Sequence, residues 1–313
     1  MTSKPDVVVV SPWYSVAMDE LEEAFTVHKL WLADDKDALL ASVRDSCVGI
    51  AGSSWCTAEL MDALPNAKVI AHHGVGYDGV DVAAATERGL KVSNTPDVLS
   101  DEVADFAIAL MLATCRRIPK ADRYVRDGRW EREGDMPFTQ RVWGRKVGIL
   151  GLGSIGQEIA ARCAAFKMDI HYHTRNRRDV PYTYSSSLVE MAKAVDILIA
   201  IVPGGAATKH LINREVMDAL GPTGVLINVA RGSVVDEDAL IAALQDGRLG
   251  AAGLDVFADE PRVPQALKDM VENVVLQPHQ ASATHETRLA MGRLVTENLK
   301  AGIAGEPLIT PVN

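Results

Sequence analysis

Short apolar runs alternate with stretches whose apolar residues recur every three or four positions, along most of the chain. The runs read as strands buried on both faces, and the three-to-four spacing reads as amphipathic helix. Strands are expected at 6–10 (DVVVV), 48–51, 68–71 and 91–93. Between them, 34–46 carries Ala38, Leu39, Ala41, Ser42 and Val43 at helical spacing. A short helix is expected at 57–64, with Thr57 as N-cap, and another from Asp81 to Arg88, closed by Gly89. A long buried helix is expected at 99–117, opening on Ser100 and Asp101 and lying between two α/β units as an inter-domain element. Residues 122–144 are rich in charge, glycine and tryptophan and show no clear period. They read as a functional loop or interface arm, with Trp130, Phe138 and Trp143 as contacts or core fillers. Further strands are expected at 169–173, 194–202, 224–229, 253–256 and 274–277, with helices at 187–193, 213–220 and 236–247. A final helix at 284–304 is expected to pack back on the first domain.

One junction carries chemistry. Residues 147–156, VGILGLGSIG, are a buried strand, a G-x-G-x-x-G turn and the start of a helix. Gly151 permits the tight turn, Gly153 lets a pyrophosphate approach the backbone, and Gly156 lets the helix pack close to the strand. The helix start then offers free N–H groups and its positive dipole end to the phosphates.

The 313 residues suggest about two domains. A net charge of −10 disfavours nucleic acid as a partner. No apolar run approaches the ~18 residues of a membrane span, and the N-terminus lacks a signal-peptide layout. Cys47, Cys56, Cys115 and Cys163 form no C-x-x-C pair and no metal spacing. They read as core residues in a cytoplasmic protein, and no metal site is expected.

The dinucleotide fingerprint calls for an acidic residue about 20 positions on, to bond a ribose 2′-OH. Here that place reads Thr174, Arg175, Asn176, Arg177, Arg178. A guanidinium pairs with a 2′-phosphate that a carboxylate would repel. NADP(H) is therefore the expected cofactor, with NAD(H) possible.

Three stretches place a polar residue just beyond a strand, where open α/β sheets bind ligands. They are 228–235 (NVARGSVV, with Arg231), 253–261 (GLDVFADEP, with Asp255 and Glu260) and 277–284 (QPHQASAT, with His279). Any one alone is an ordinary surface, loop or capping residue. Together, downstream of the glycine turn, they point to a ligand site rather than three ordinary surface residues.

With these motifs, the chain resembles the D-isomer-specific 2-hydroxyacid dehydrogenases over essentially its whole length. HHGVGYD at 72–78, NTP at 94–96, the glycine turn, VARG at 229–232, GLDVF at 253–257, Glu260-Pro261 and Pro278-His279 carry the resemblance. GVGYD, VPGG at 202–205 and SAT at 282–284 are most like the glyoxylate/hydroxypyruvate reductase branch. The resemblance implies an α/β fold of two domains, a Rossmann dinucleotide-binding domain inserted into a flavodoxin-like parallel-sheet substrate domain. The expected division is 1–99 with 285–313 for substrate and 100–284 for NADP. It implies Arg231, Glu260 and His279 as the catalytic set, and reduction of small 2-keto acids to D-2-hydroxy acids. His279 suits the proton donor, since imidazole titrates near neutrality, and an adjacent Glu260 would favour its charged form. Arg231 would hold the carboxylate and polarise the ketone. Val75 and Gly76 would supply N–H groups to the carboxylate, with Ser53, Ser54 and Trp55 near the pocket. Cofactor contacts are expected from Gly151, Gly153, Ser154, Ile155, Gly156, Thr174, Arg175, Asn176, Arg177, Val202, Pro203, Thr208, Val229, Ala230, Arg231, His279 and Ala281, with Asp255 meeting the nicotinamide carboxamide. Closure of the cleft between the domains would exclude water. A homodimer is expected from the family.

His72 and His73 read as structural, Tyr77 and Asp78 as turn-shaping, and His28, His171, His173, His210 and His285 have no assigned role. Glu260 argues against formate dehydrogenases, which carry Gln there. The chain length leaves no room for the regulatory domain of phosphoglycerate dehydrogenases. Two alternatives stand: a bulkier 2-keto acid as substrate, or a cofactor-sensing binding protein like the corepressors that share the fold.

Overall fold

The structure, a computed structural model, describes residues 4–53 and 55–313. Ser54 and the first three residues lie outside the described set. The chain divides into two compact units, one of residues up to Leu99 together with Ser282–Asn313, the other Ser100–Ala281. The chain thus returns to the first unit three residues earlier than the expected boundary.

The first unit holds a five-stranded parallel sheet: β1 (Asp6–Val9), β2 (Thr26–Lys29), β3 (Cys47–Gly52), β4 (Val69–His72) and β5 (Lys91–Ser93), in the order β2-β1-β3-β4-β5. That is the flavodoxin-like order, with a topological switch between β1 and β3. Side chains alternate across the sheet. Val7 and Val9 join Leu21, Val69, Val295 and Leu299 on one face, while Val8 joins Ile50, Met61, Ile70 and Val92 on the other. Both faces are covered, which is why β1 reads as an unbroken apolar run.

The long helix His285–Ala304 packs on β3 and β4 of this unit. It does so through glycine. A Cβ on Gly302 would come within 2.6 Å of Val69 Cβ in β4, and against the helix Ser15–Ala24 one on Gly292 would come within 2.4 Å of Ala17 Cβ.

The second unit holds a seven-stranded sheet: β6 (Lys146–Leu150), β7 (Asp169–His173), β8 (Thr183–Tyr184), β9 (Ile197–Ala200), β10 (Val225–Asn228), β11 (Ala251–Leu254) and β12 (Val274–Leu276). All pairings are parallel and the order is β12-β11-β10-β9-β6-β7-β8. Read from β8, this is the doubly wound dinucleotide order with one strand added. Its switch point lies between β6 and β9, so the turn after β6 opens where such sheets take ligands. Among the described residues, no helix is long and apolar enough to cross a membrane.

Several expectations need correction. The helix Ser100–Cys115 is no free connector: within the second unit it lies on β10 and β11 and against the helix Ser154–Ala165. Arg162 ties those two helices by pairing with Asp101 at 2.8 Å and with Asp105. Residues 122–144 are not an unbroken loop. Helices Ile118–Arg126 and Arg129–Glu133 occupy the first part. Ile118, Ala121, Tyr124 and Val125 recur at helical spacing in the first, but only Tyr124 is buried. Ion pairs four residues apart, Asp122–Arg126 at 2.8 Å and Arg129–Glu133 at 2.7 Å, support the two helices. Trp130, Phe138 and Trp143 are all exposed, so none fills the core. Thr57 stands at the N-cap position of Ala58–Ala63, but its side chain makes no capping bond. Helix Ser15–Ala24, strand β2 and helix Gln265–Asp269 were not anticipated.

Gly302→Ala tests the close approach of the last helix. In an open helix this change stabilises by about 1 kcal/mol. Here the added carbon meets a branched side chain in a packed sheet, and overpacking costs about 1–3 kcal/mol. The melting temperature should fall by about 2–4 °C. A rise on thermal melting would show that the helix can move away from β4.

Candidate functional site

The turn after β6 fits a dinucleotide phosphate. Gly151 has φ +100°, and a Cβ there would come within 2.4 Å of the Ile201 carbonyl oxygen. A Cβ on Gly156 would come within 2.3 Å of the Gly151 carbonyl oxygen. Both positions therefore demand glycine. Gly153 differs, since a Cβ there would meet nothing within 4 Å. That open side is the approach a pyrophosphate needs. The helix Ser154–Ala165 begins immediately, with no side-chain cap and no acidic residue in its first turn. The N–H groups of Ser154, Ile155 and Gly156 thus lack partners within the helix and present positive charge.

Around this turn lie the other expected cofactor residues of the unit. Val202 follows β9, its Cγ1 2.9 Å from where a Gly151 Cβ would stand. Thr208 Oγ1 donates to the Pro203 carbonyl at 2.7 Å, closing the loop after β9. Beyond β7, Thr174 Oγ1 donates to the Asn176 carbonyl at 2.6 Å. The buried Tyr172 hydroxyl takes the N–H of Arg178 at 2.9 Å and donates to its carbonyl at 3.0 Å. This pins the backbone of the loop and leaves Arg175, Arg177 and Arg178 exposed. Among the described residues, none of these three pairs with a carboxylate, so the loop is a compact cationic site.

The loops after β10, β11 and β12 converge at the same end of the sheet. Asn228, 1% exposed, accepts from the Ala230 N–H at 3.1 Å and donates to the Arg231 carbonyl at 3.1 Å. Its side chain shapes the turn that carries Val229, Ala230 and Arg231. Next, a Cβ on Gly232 would lie 1.9 Å from the Phe257 carbonyl, so only glycine lets this loop lie against the one after β11. Arg231 Nη1 donates to the Ala230 carbonyl at 2.8 Å.

Glu260 and His279 meet directly, with Nδ1 of the ring 2.8 Å from Oε2 of the carboxylate. The other carboxylate oxygen, Oε1, accepts from the Phe257 N–H at 3.1 Å. Burial pushes the Glu260 pKa up, but the His279 bond and charge, the Phe257 N–H and the Arg231 charge outweigh it. The carboxyl is held below its ordinary value. Glu260 is therefore ionised at neutral pH and can only accept, so His279 carries its proton on Nδ1. Nε2 is the nitrogen left to exchange a proton with another molecule. The pair edges a cavity of about 260 Å³, lined otherwise mainly by Phe257, Pro261, Val263, Leu276 and Pro278.

His279 has φ +55°, in the left-handed region. Asp255 holds it there. The Asp255 carbonyl accepts from the His279 N–H at 2.8 Å, and its carboxylate oxygens accept from Gln280 N at 2.7 Å and Ala281 N at 3.0 Å. Asp255 is 1% exposed, and burial raises its pKa despite the two N–H bonds that lower it. This clamping role was not anticipated. The signal for it was an acidic residue inside an otherwise apolar strand end.

In the first unit, the carbonyls of Gly74, Val75 and Gly76 are taken by Thr95 N at 2.9 Å, Asn94 Nδ2 at 2.8 Å and His72 Nε2 at 3.0 Å. NTP and HHG thus shape the turn that holds Val75 and Gly76. His73 is buried and stacked on Trp13, with centroids 5.2 Å apart. Burial above all, then Arg288 and His72, depresses its pKa to about 4, so it is neutral and structural. Ser53 is exposed just after β3, and Trp55 is 74% exposed.

Asp255→Asn separates clamping from stability. The buried charge disappears, which favours the fold, while the amide can accept at only one of its two atoms. The melting temperature should move by less than about 3 °C, and kcat should fall by about tenfold or more as His279 loses its position. An unchanged kcat would contradict the clamp.

Residues 108–281 match the D-isomer specific 2-hydroxyacid dehydrogenase, NAD binding domain. Over 309 residues the chain is 45% identical to the glyoxylate/hydroxypyruvate reductase A of Arabidopsis thaliana, covering 98% of each. It is 47% identical over 309 residues to the hydroxyphenylpyruvate reductase of Plectranthus scutellarioides, again 98% of each. Among solved structures, it matches an NADPH-dependent glyoxylate/hydroxypyruvate reductase of Sinorhizobium meliloti, in complex with NADP and malonate, with a TM-score of 0.92. The identity is 48%, covering 99% of this chain and 97% of the other. The chain belongs to the D-isomer specific 2-hydroxyacid dehydrogenase family.

Proposed function

We propose that this protein is an NADPH-dependent reductase of small 2-keto acids, glyoxylate and hydroxypyruvate, giving D-2-hydroxy acids. The observation that carries the reading is the Glu260–His279 pair, 2.8 Å apart at the ligand-binding end of the second unit's sheet. When bound, the dinucleotide supplies the hydride that reduces the keto carbon. His279 then gives the Nε2 proton of its charged form to the developing alkoxide, while Glu260 stabilises that form through Nδ1. Arg231 holds the substrate carboxylate and polarises the ketone. In the first unit, Val75 and Gly76 offer N–H groups, and Ser53 its side chain, to the substrate. In this reading the second unit is the NADP-binding domain and the first is the substrate-binding domain.

Cofactor preference rests on Arg175 and Arg177 at the β7 end, where NAD enzymes keep an acidic residue. Ser154 and Ile155 take the pyrophosphate. Thr174, Asn176, Val202, Pro203, Thr208, Val229, Ala230 and Ala281 line the remaining dinucleotide path. Asp255 keeps lone pairs for the carboxamide after its two N–H bonds. NAD(H) is the weaker cofactor. The 47% identity to a hydroxyphenylpyruvate reductase makes an aryl 2-keto acid the second substrate class. A homodimer fits the exposed Trp130, Phe138 and Trp143 of the segment after helix Ser100–Cys115. Four free, buried thiols suit a reducing compartment such as the cytoplasm.

The test is the initial rate of NADPH and NADH oxidation with glyoxylate, hydroxypyruvate, pyruvate and phenylpyruvate. Small acids with NADPH should turn over fastest. His279→Ala should cut kcat by about 10²–10⁴-fold and leave NADPH affinity, read by fluorescence, within about threefold. Near-normal turnover in that variant would refute the acid role. The double change Arg175→Ala, Arg177→Ala should raise KM for NADPH by about tenfold or more and leave NADH little affected, since charged hydrogen bonds are worth that much. Equal losses with both cofactors would contradict the 2′-phosphate reading.

A further inference from the structure

Past the last helix, residues 310–313 run along β5, the outer strand of the first unit's sheet. The Val312 N–H donates to the Val92 carbonyl at 2.8 Å, and the Val92 N–H donates to Asn313 Oδ1 at 2.7 Å. Ser93 and Pro311 form an antiparallel bridge. These bonds cover a sheet edge. Thr310 reaches further. It grips Asn94 on both sides: its carbonyl accepts from the Asn94 N–H at 3.4 Å, and its Oγ1 donates to the Asn94 carbonyl at 2.6 Å.

The same hydroxyl accepts from Asn298 Nδ2 at 3.0 Å. Its direction is fixed, because a carbonyl only accepts and an amide nitrogen only donates. Asn298 is 0% exposed within the helix His285–Ala304. Its other Nδ2 hydrogen goes to the Leu294 carbonyl at 2.8 Å, and Oδ1 accepts from Ile309 N at 3.0 Å and Thr310 N at 3.2 Å. Two bonds given and two taken use all that the amide can make. Asn298 thus anchors Thr310 to the helix.

Asn94 passes the grip on. Its Nδ2 donates to the Val75 carbonyl at 2.8 Å, and the Thr95 N–H donates to the Gly74 carbonyl at 2.9 Å. A trans peptide is planar, with its carbonyl and N–H pointing in opposite directions. Holding the Gly74 carbonyl therefore sets where the Val75 N–H points, and holding the Val75 carbonyl sets where the Gly76 N–H points. The glycines at 74 and 76 leave those planes free to turn unless something outside the turn holds them.

We propose that Thr310, braced by Asn298, is a positioning residue that acts through Asn94 to aim the Val75 and Gly76 N–H groups. This rests on the reading above, in which those groups are offered to the substrate.

Two readouts on the full chain test it. Thr310→Val keeps the shape of the side chain and removes the hydroxyl, and Thr310→Ser keeps the hydroxyl. Amide hydrogen exchange over residues 72–78, measured without ligand, should quicken by about fivefold in Thr310→Val, the worth of one neutral hydrogen bond. KM for hydroxypyruvate should rise by about the same factor, with kcat and KM for NADPH within about twofold, the signature of lost uniform binding. Thr310→Ser should stay near wild type in both readouts. Unchanged exchange in Thr310→Val overturns the relay, and so does a serine variant as impaired as the valine one. Quickened exchange with an unchanged KM overturns the positioning role and leaves the reductase reading intact. If the wild-type protein turns over neither glyoxylate nor hydroxypyruvate, the reductase reading fails and takes the assignment with it.

Discussion

The position of His279 in the candidate site hangs on one buried carboxylate, that of Asp255. Asp255 sits at 1% exposure. Burying a charge costs several kcal/mol, and the two N–H bonds to residues 280 and 281 return about 1.5–3 kcal/mol each. The direction of its pKa shift decides between them: it is raised, so desolvation wins. A raised carboxyl pKa means the folded state holds the proton more tightly than the unfolded chain does, so ionised Asp255 weakens the fold at neutral pH. What it supplies is position. The backbone of residues 279–281 is fastened at three points, and His279 is kept at a φ that few side chains adopt.

The two sheets explain why such loops are where they are. A parallel strand delivers all its successors to one end, so the loops after β6, β7, β9, β10, β11 and β12 share an edge. Glycines set how closely those loops approach. Gly151 and Gly156 pack the first helix onto its strand, and Gly232 lets the Arg231 loop lie on the backbone of Phe257. The site is thus assembled from short turns on rigid strands, which hold a constellation more exactly than a long loop can.

Much of this was legible because the physics is local. A strand buried on both faces is an apolar run, as at Val7 to Val9, and a helix start is marked by its cap, as at Asp81, Asn213 and Asp236. The glycine turn announced its own geometry. Arg231, Glu260 and His279 were legible as polar residues just past strands. The remainder depended on tertiary context. β2 is a short, partly exposed edge strand with no alternation to read. The helices at 118–133 bury only Tyr124, and their few apolar residues are scattered among many charges. The clamp by Asp255 and the turn shaped by Asn228 need partners 25 or 26 residues away, or a bend of the backbone, to become visible.

The central claim is that the Glu260 carboxylate accepts from Nδ1 of His279 and so leaves Nε2 to the substrate. The most direct measurement is kcat for hydroxypyruvate reduction in Glu260→Gln against wild type, with NADPH affinity read by fluorescence. Glutamine keeps the shape of the side chain and removes the charge 2.8 Å from the ring. The account predicts that kcat falls by about tenfold or more while NADPH affinity stays within about threefold. A variant with wild-type kcat would contradict it.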